Sequence, residues 1–284
     1  MVCFPDGETR LHLILGDPVA QTKSPSGLSA EFRRRGVNAI CIPLHVAAVD
    51  FDAVMAAARV VRNLDGIVIT VPHKLAALRH CEEASERARL LGAANVLRRT
   101  ATGRWQGDMT DGAATVAALE RAGATLAGRR ALVLGAGGAG SAVALALLEA
   151  GVAALTLADV VPARSAGVVA RLKSPAATAG TGRAVAAGAA DPAGCDVVVN
   201  ATPAGMAADD PLPLDAARLK TSAVVADLIT RPEMTKLLLA ARERGCTVVT
   251  GADMFAAGAP MIADFLLAPP GDPAREVAAV PKSG

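Results

Sequence analysis

Three glycines spaced as GxGxxG, Gly135, Gly137 and Gly140, lie between a predicted buried strand and a predicted helix. In this context the first glycine permits a tight turn, the second lets the backbone approach a pyrophosphate, and the third lets helix and strand pack closely. The N–H groups at the start of the helix then face the anion. A plain turn is the alternative, because the chain is rich in glycine. The predicted dinucleotide contacts in this loop are Gly135, Ala136, Gly137, Gly138, Ala139 and Gly140.

An acidic residue, Asp159, follows the next predicted strand. Such an acid hydrogen-bonds the ribose 2'-hydroxyl of NAD and repels the 2'-phosphate of NADP. Val160 and Val161 stand next to it, where a basic residue would favour the phosphate. The sequence therefore predicts NAD and makes NADP the less favoured cofactor, although Arg164 acts in the opposite direction. The alternative interpretation of Asp159 is a cap for the helix that begins at Pro162.

Further polar residues close two later strands of the same half of the chain. Ligands of doubly wound sheets bind beyond the carboxyl ends of the strands. We therefore expect additional cofactor contacts at these strand ends, namely Asn200, Ala201, Thr202, Asp227 and Leu228.

A lysine stands at the end of a strand in the N-terminal half. In GIVITVPHK, the β-branched run from Gly66 to Val71 predicts a buried strand, Pro72 ends it, and Lys74 follows. The end of a parallel strand faces ligands, so Lys74 is a candidate functional residue. Taken alone, it is more simply a solvated lysine at the start of a helix. His73 and the other three histidines match no triad and are interpreted as structural or surface residues.

Strands and helices alternate along the chain, which predicts an α/β fold with mostly parallel sheets. In the N-terminal half we expect strands at 11–15, 39–44 and 66–71, helices at 24–36, 50–62 and 75–91, and a hairpin around Asn95. From Arg129 a second series begins, with strands at 131–134, 154–158, 196–200, 223–227 and 246–250. This second series indicates a doubly wound, Rossmann-type domain.

Composition and charge exclude several classes of function. Lys and Arg number 29 and Asp and Glu 27, so there is no basic footprint for nucleic acid or anionic membranes. The five cysteines form no CxxC pair and lack histidines at metal-ligand spacing, so we expect neither a metal site nor a redox motif. The N-terminus lacks the pattern of a signal peptide, and we expect a cytoplasmic protein. A small molecule is the expected partner.

A set of motifs in order along the chain resembles the shikimate dehydrogenases and the related quinate/shikimate dehydrogenases. They are GDPVAQTKSP (16–25), GIVITVPHK (66–74), LGAANVLRR (91–99), GDMTDG (107–112), VLGAGGAG (133–140), VVVNATPAGM (197–206), DLITRPEMTKLL (227–238) and GADMFAAGAPMIADFLL (251–267). The resemblance covers almost the whole chain, and VPHK, GAAN, TDG and NATP are far more specific than the glycine loop.

The resemblance implies three segments in the chain. Residues 1–112 would form a substrate-binding and catalytic αβ domain, and 113–250 a Rossmann-type NAD(P) domain. Residues 251–284 would form a helical segment that packs back on the first domain, with the substrate held in a cleft between the domains. It also implies reversible oxidation of the ring 3-hydroxyl of shikimate or quinate by a monomer or homodimer.

By that resemblance Lys74 and Asp111 are the catalytic pair. Oxidation of an alcohol requires that its hydroxyl proton be removed as a hydride leaves. Burial favours a neutral lysine that can take this proton, whereas a nearby carboxylate favours the charged form. Which of the two residues carries the proton stays open. Taken alone, Asp111 is a plain N-cap.

The resemblance also assigns substrate contacts and two further cofactor residues. Asn95 and Thr70 match residues that bind the ring hydroxyls, although a loop Asn can merely adopt a left-handed backbone and a strand Thr can merely reflect β-propensity. Thr22 and Ser24 match a pair of serines that holds the carboxylate, with helix capping as the alternative for Ser24. In GADM, Gly251 and Met254 match positions near the nicotinamide, although Met254 is nearly as well explained as a core residue.

The chain departs from the family pattern at four positions. The family usually has Asn at Val68 and Met109, Tyr at Thr230 and Gln at Gly258. Lost hydrogen-bonding partners change how a site discriminates between substrates. Another cyclic polyhydroxy acid is therefore an alternative substrate. A NAD-binding regulatory protein without catalysis is the alternative from another class.

Overall fold

The computed structural model describes residues 5–174 and 183–268, together with a two-residue strand at Ala278–Ala279. The chain divides into two compact units, Met1–Thr110 with Ala259–Gly284, and Asp111–Gly258. The functional domains proposed from the sequence, with boundaries after residues 112 and 250, stay a prediction.

Strands alternate with helices in the described residues. The strands are β1 (Arg10–Gly16), β2 (Ala39–His45), β3 (Leu64–Ile69), β4 (Glu83–Ala84), β5 (Val96–Arg99), β6 (Trp105–Asp108), β7 (Arg130–Leu134), β8 (Ala154–Ala158), β9 (Ala184–Ala187), β10 (Val197–Asn200), β11 (Val224–Asp227), β12 (Thr247–Val249) and β13 (Ala278–Ala279). The helices are α1 (Ser24–Arg34), α2 (Phe51–Ala58), α3 (Lys74–Ala77), α4 (Glu86–Leu91), α5 (Asp111–Arg121), α6 (Gly138–Glu149), α7 (Pro162–Leu172), α8 (Lys236–Glu243) and α9 (Gly251–Leu267). Among the described residues, no helix combines the length and apolar character needed to cross a membrane.

The first unit is built on a seven-stranded sheet in the order β13-β4-β6-β5-β3-β1-β2. The strand β1 is parallel to β2 and β3, whereas β5 is antiparallel to β3 and β6. Apolar side chains of β1 and β3 pack with Phe51 and Met55 of α2 and with Trp105 of β6 in one buried cluster. This burial fixes the register of the strands whose ends carry the candidate site, because a one-residue slip would expose the apolar face.

The second unit contains a six-stranded parallel sheet in the order β12-β11-β10-β7-β8-β9. The order reverses between β7 and β10, and ligands of such sheets bind at this switch point. The glycine-rich loop follows β7, and Asn200 ends the adjacent β10, in register with Leu134. The two-domain α/β fold with a Rossmann-type second domain is therefore confirmed.

Two predicted helices are wrong in extent. The helix expected over 75–91 is broken: α3 ends at Ala77, and Glu83–Ala84 forms β4, paired with Gln106 and Gly107 of β6. Tertiary strand pairing here overrides helix propensity. The helix expected over 50–62 ends at Ala58.

Candidate functional site

Lys74 and Thr70 lie at the carboxyl end of β3 in the first unit. Thr70 follows the strand directly, and its N–H donates to the Leu15 carbonyl of β1 at 2.9 Å. Lys74 is the first residue of α3 and is half-buried. Its carbonyl accepts from the Ala94 N–H at 2.9 Å, which ties the start of α3 to the chain just before Asn95.

Asn95 is buried beside the same strand end. Its carbonyl accepts from the Ile69 N–H of β3 at 2.7 Å. Its side chain pairs with Thr110: Oδ1 accepts from the Thr110 N–H at 2.8 Å, and Nδ2 donates to the Thr110 hydroxyl at 3.0 Å. Among the described residues only glycines have positive φ, so the left-handed alternative for Asn95 is wrong.

The segment that carries Thr22 and Ser24 is fastened to this strand end. The Asp17 N–H donates to the Val71 carbonyl at 2.8 Å, next to Thr70. Thr22 is half-buried, and its hydroxyl donates to the Val19 carbonyl at 2.8 Å. Ser24 is buried and is the first residue of α1, while Lys23 occupies the capping position. The structure therefore gives Ser24 a place in the first turn of α1 rather than the cap.

His73, adjacent to Lys74, has a structural environment. Its ring stacks on Phe51 with centroids 4.4 Å apart, and Nε2 lies 2.8 Å from the Val46 carbonyl oxygen. These contacts hold the turn between β3 and α3 against α2.

Asp111 opens α5 in the second unit and is buried. The interpretation of Asp111 as a plain N-cap differs from the structure, because Asp111 is the first helical residue of α5 and lies in its first turn. Gly112 follows it for a packing reason: a Cβ there would lie 2.1 Å from the Ala142 carbonyl oxygen of α6. The TDG sequence thus places a carboxylate next to a close approach of α5 to α6.

The glycine-rich loop has the geometry expected of a dinucleotide turn. Gly135 has φ +95°, and a Cβ there would lie 2.9 Å from the Ala201 carbonyl oxygen. A Cβ on Gly140 would lie 1.8 Å from the Gly135 carbonyl oxygen, so this glycine permits close packing of α6 on the turn. A Cβ on Gly137 would meet no heavy atom of the described residues within 4 Å. The loop therefore leaves open space at the N-terminus of α6, which suits a bound pyrophosphate.

Asp159 contacts this loop directly. One carboxylate oxygen accepts from the Ala136 N–H at 2.7 Å, and the other accepts from the Val161 N–H at 2.8 Å. Val161, and not Asp159, occupies the capping position of α7. Val160 is 95% exposed beside the carboxylate. The acid after β8 thus also fixes the conformation of the glycine-rich loop, a contact that the sequence did not predict.

The side chains of Asn200 and Asp227 are buried in a hydrogen-bonded network. Asn200 donates to Asp227 at 3.2 Å and accepts from the Thr202 hydroxyl at 2.6 Å. Asp227 also accepts from the Thr235 hydroxyl at 2.7 Å and the Ile229 N–H at 3.0 Å. Burial raises the pKa of the Asp227 carboxyl above its usual value, against the effect of these hydrogen bonds.

This network fixes the loops after β10 and β11, which carry Ala201, Thr202 and Leu228 at the switch point. The Leu228 N–H donates to the Asn200 carbonyl at 3.0 Å. Sequence reasoning missed Thr235, which lies in the motif DLITRPEMTKLL. Asn200 and Asp227 stay predicted cofactor residues, with their side chains committed to the network.

The remaining predicted positions lie on or near α9. A Cβ on Gly251 would lie 2.4 Å from the Ile229 carbonyl oxygen, so α9 starts against the loop after β11. Met254 is half-buried one turn later. Gly258, where the family usually has Gln, lies so close to α5 that its Cβ would be 2.8 Å from the Cβ of Ala114. Val68 and Met109 are buried.

An ion pair with a buried carboxylate, which sequence reasoning missed, lies at the end of β6. Asp108 accepts from Arg87 Nε at 2.8 Å and from Arg87 Nη2 at 2.5 Å. The first acid in GDMTDG, three residues before Asp111, is the sequence signal that could have indicated it. The pairing itself depends on the unpredicted strand β4, which places α4 beside β6.

These features define a class of protein. One unit is a doubly wound sheet with a dinucleotide turn and a following acid, and the other gathers a lysine, an amide and hydroxyls at its strand ends. Within the described ranges, no group of His, Cys, Asp and Glu is arranged to hold a metal ion. The class is a two-domain oxidoreductase that binds a nicotinamide dinucleotide.

Comparison with known proteins identifies the family. Residues 14–97 match the model of the shikimate dehydrogenase substrate binding domain. The shikimate dehydrogenase (NADP(+)) of Rubrobacter xylanophilus is 38% identical over 87% of this chain and 86% of its own length. The chain belongs to the shikimate dehydrogenase family.

Two solved structures are similar over nearly their full lengths. The shikimate 5-dehydrogenase of Thermus thermophilus, in complex with NADP(H) and shikimate, is 29% identical with a TM-score of 0.79, and 94% of this chain and 96% of that chain are covered. The quinate dehydrogenase of Corynebacterium glutamicum, in complex with NAD, is 28% identical with a TM-score of 0.79, covering 92% and 95%. Both cofactors thus occur among the similar proteins, and the name of the Rubrobacter relative favours NADP.

Proposed function

We propose that the protein catalyses the reversible oxidation of the ring 3-hydroxyl of shikimate or quinate to the 3-dehydro acid. The observation that carries this proposal is the gathering of Thr70, Lys74 and Asn95 around the end of β3, in a chain that also has a complete dinucleotide turn. The shikimate and quinate dehydrogenases among the similar proteins support both substrates.

Residues of the first unit hold the substrate in this proposal. Ser24 donates a hydrogen bond to the ring carboxylate from the N-terminus of α1, where the helix dipole favours an anion. The Thr22 hydroxyl also donates to the carboxylate, in exchange for its hydrogen bond to the Val19 carbonyl. Thr70 and Asn95 bind the ring hydroxyls. Because Asn95 is fixed by Thr110, its amide is oriented before the substrate binds.

Lys74 and Asp111 move the proton. When bound, the nicotinamide accepts the hydride that leaves the carbinol carbon. As the carbon–oxygen bond becomes a carbonyl, the hydroxyl proton passes to one member of this pair, and in the reverse direction it returns to the oxygen. The other member orients the hydroxyl.

The test is turnover. Formation of reduced nicotinamide is followed with shikimate and with quinate, for the wild type and for Lys74→Ala. We expect turnover of at least one acid by the wild type and a loss in Lys74→Ala of about 100-fold or more, the usual contribution of acid–base catalysis. Intact dinucleotide binding without turnover of either acid would contradict the proposal, and absence of turnover with the related acids as well would favour a non-catalytic regulatory protein.

We further propose that NAD is preferred over NADP. Asp159 repels a 2'-phosphate, and the exposed Val160 beside it offers no positive charge. The name of the Rubrobacter relative points the other way, so the ratio of kcat/KM for the two cofactors is the deciding measurement. Val160→Arg should raise the NADP to NAD ratio about tenfold through a charge-assisted hydrogen bond.

Val160→Gln is the matched control, since it adds length without charge and should leave the ratio unchanged. Neither change touches the contact between Asp159 and the glycine-rich loop. A wild type that prefers NADP would contradict the proposed preference.

Gly258 favours a second candidate substrate, another cyclic polyhydroxy acid. The close packing of Gly258 on Ala114 leaves α9 without the Gln that the family usually has there. A substrate that needs one polar contact fewer would fit this site, and it would be identified by including related acids in the same turnover assay. Higher kcat/KM for such an acid than for shikimate and quinate would establish this candidate.

A further inference from the structure

Asp108 is a buried carboxylate on which four hydrogen-bond donors converge. Arg87 binds it in bidentate fashion, with Nε 2.8 Å from Oδ1 and Nη2 2.5 Å from Oδ2. Oδ1 also accepts from the Ser85 hydroxyl at 2.5 Å and from the Met109 N–H at 2.7 Å. The Asp108 side chain is 3% exposed, whereas that of Arg87 is 38% exposed. The pair therefore combines a desolvated carboxylate with a guanidinium that reaches water.

Asp108 is connected to Asn95, the proposed substrate-binding amide, in two ways. One is a direct backbone hydrogen bond, and the other runs through the two residues that follow Asp108. The Asp108 carbonyl accepts from the Asn95 N–H at 3.0 Å. Its side chain fixes the Met109 N–H, and the next residue, Thr110, pairs with the Asn95 side chain. Asp108 therefore sets the backbone of Asn95 on one side and the partner of the Asn95 amide on the other.

The helix α4 connects Arg87 to the same amide along the chain. Ser85 caps α4, accepting from the Ala88 N–H at 3.2 Å, and it also donates to Asp108. The helix ends at Gly92, whose φ of +68° turns the chain toward Asn95. The N-terminus of α4 is therefore bonded to Asp108 through Ser85, and its C-terminus continues through Gly92 into the segment that carries Asn95.

Charge and burial oppose each other at Asp108. Burial acts to raise the pKa of its carboxyl, but the hydrogen bonds and charge of Arg87, with the bond from Ser85, hold that pKa below its usual value. The carboxylate is therefore ionised, and removing the Arg87 guanidinium would take the main charge complement from a buried carboxylate.

We propose that Arg87 and Asp108 form a positioning ion pair that sets the Asn95 amide and Thr110 in the geometry needed to bind a substrate hydroxyl. Neither residue touches the substrate. This inference rests on the proposed function, because it assigns the ion pair a role in substrate recognition by Asn95.

The test compares Asp108→Asn, Arg87→Met and Arg87→Lys with the wild type. Asp108→Asn replaces one carboxylate oxygen by an NH₂ group, which cannot accept the hydrogen bonds that this oxygen accepts. The Asn95 amide should then be held less firmly, and KM for the hydroxy acid should rise about tenfold. Arg87→Met should act similarly and covers the case in which Asp108→Asn does not fold. Arg87→Lys keeps the charge without the bidentate contact and should give a smaller increase. KM for the dinucleotide should change less than about twofold in all three.

Asp65→Asn is the matched control. Asp65 also pairs in bidentate fashion with an arginine, Arg10, with distances of 2.7 Å and 2.5 Å, at the start of β1. Its substitution should lower stability without changing KM for the hydroxy acid. A rise in KM in Asp65→Asn equal to that in Asp108→Asn would overturn the proposal, because a general loss of stability would then explain both.

Amide hydrogen exchange supplies a readout that needs no substrate. The Thr110 N–H, held by Asn95 Oδ1, should exchange faster in Asp108→Asn and Arg87→Met than in the wild type and Asp65→Asn. Unchanged exchange at Thr110 together with unchanged KM would overturn the inference. If the wild type turns over neither acid, the proposed function fails, and the exchange of Thr110 alone then decides whether the ion pair positions this segment.

Discussion

His12, in β1 of the first unit, should make the stability of that unit depend on pH. Its side chain is 1% exposed, its ring lies 4.5 Å from that of Phe32, and Nδ1 has no hydrogen-bond partner in the described part of the chain. Burial lowers the pKa of His12 from 6.5 to about 4, with smaller opposing effects of Asp65, which raises it, and Arg10, which lowers it. The folded protein therefore favours neutral His12.

The size of the effect follows from linkage. Because the folded pKa lies below the unfolded value, the contribution of His12 is complete above pH 6.5, is lost progressively as the pH falls from 6.5 to about 4, and does not change further below about 4. One pKa unit corresponds to about 1.4 kcal/mol, so the whole loss is about 3 kcal/mol, of which about 2 kcal/mol has occurred at about pH 5. His12→Leu removes the titration and the unsatisfied nitrogen. It should equal or exceed the wild type in stability at about pH 7.5 and exceed it by about 2 kcal/mol more at about pH 5.

Urea unfolding at the two pH values measures this difference. The chain has one tryptophan, and Trp105 is buried in the same unit as His12, so its fluorescence follows the relevant transition. Phe32→Leu is the control: it perturbs the same ring contact without a titrating group, and should lose equal stability at both pH values. If the wild type and His12→Leu lose stability in parallel between the two pH values, His12 is not held neutral by burial, and the reasoning is refuted.

Two glycine substitutions should separate folding from cofactor binding, and one should test the packing of α9. Gly112→Ala places a Cβ 2.1 Å from the Ala142 carbonyl oxygen and should lower the free energy of unfolding in urea by about 1–3 kcal/mol. Gly137→Ala meets open space, so it should leave the free energy of unfolding unchanged and weaken dinucleotide binding in a titration. Equal loss of stability in both would contradict this assignment. Gly258→Gln should lower the melting temperature without raising activity on shikimate, because its Cβ would lie 2.8 Å from that of Ala114; a gain in shikimate kcat/KM would show that the helix accommodates the side chain.

Features with fixed local spacing were predictable from the sequence. The dinucleotide turn needs glycine at positions where the chain turns or packs closely, and Gly135 and Gly140 have those environments in the structure. Similarly, a β-branched run that ends at Pro72 placed Lys74 at the end of a strand. In both cases the signal is a set of residue types at fixed spacing along the chain, so sequence order alone reveals it, although Gly135 also approaches the distant Ala201.

Contacts that depend on tertiary pairing were not predictable. The ion pair of Arg87 with Asp108 requires β4 to interrupt what reads as one helix, and β4 exists because it pairs with β6. The contact of Asp159 with the Ala136 N–H requires the end of β8 to lie against the glycine-rich loop. The sequence predicted a ribose-binding role for Asp159, the acid after β8. The structure adds a second role, because Asp159 also fixes the conformation of the glycine-rich loop.

The Gly258 position shows why a change in polar contacts can follow from packing. The helices α5 and α9 approach so closely at Gly258 and Ala114 that even a Cβ at Gly258 requires a shift. A larger polar side chain there would have to separate the helices, and α5 begins with Asp111, one of the proposed catalytic pair. Restoring the family glutamine would therefore shift Asp111, which the proposed function places in proton transfer. Under the proposed function, this helix pair would then influence substrate choice, and Ala114→Gly combined with Gly258→Gln is the change that should admit the glutamine without moving Asp111.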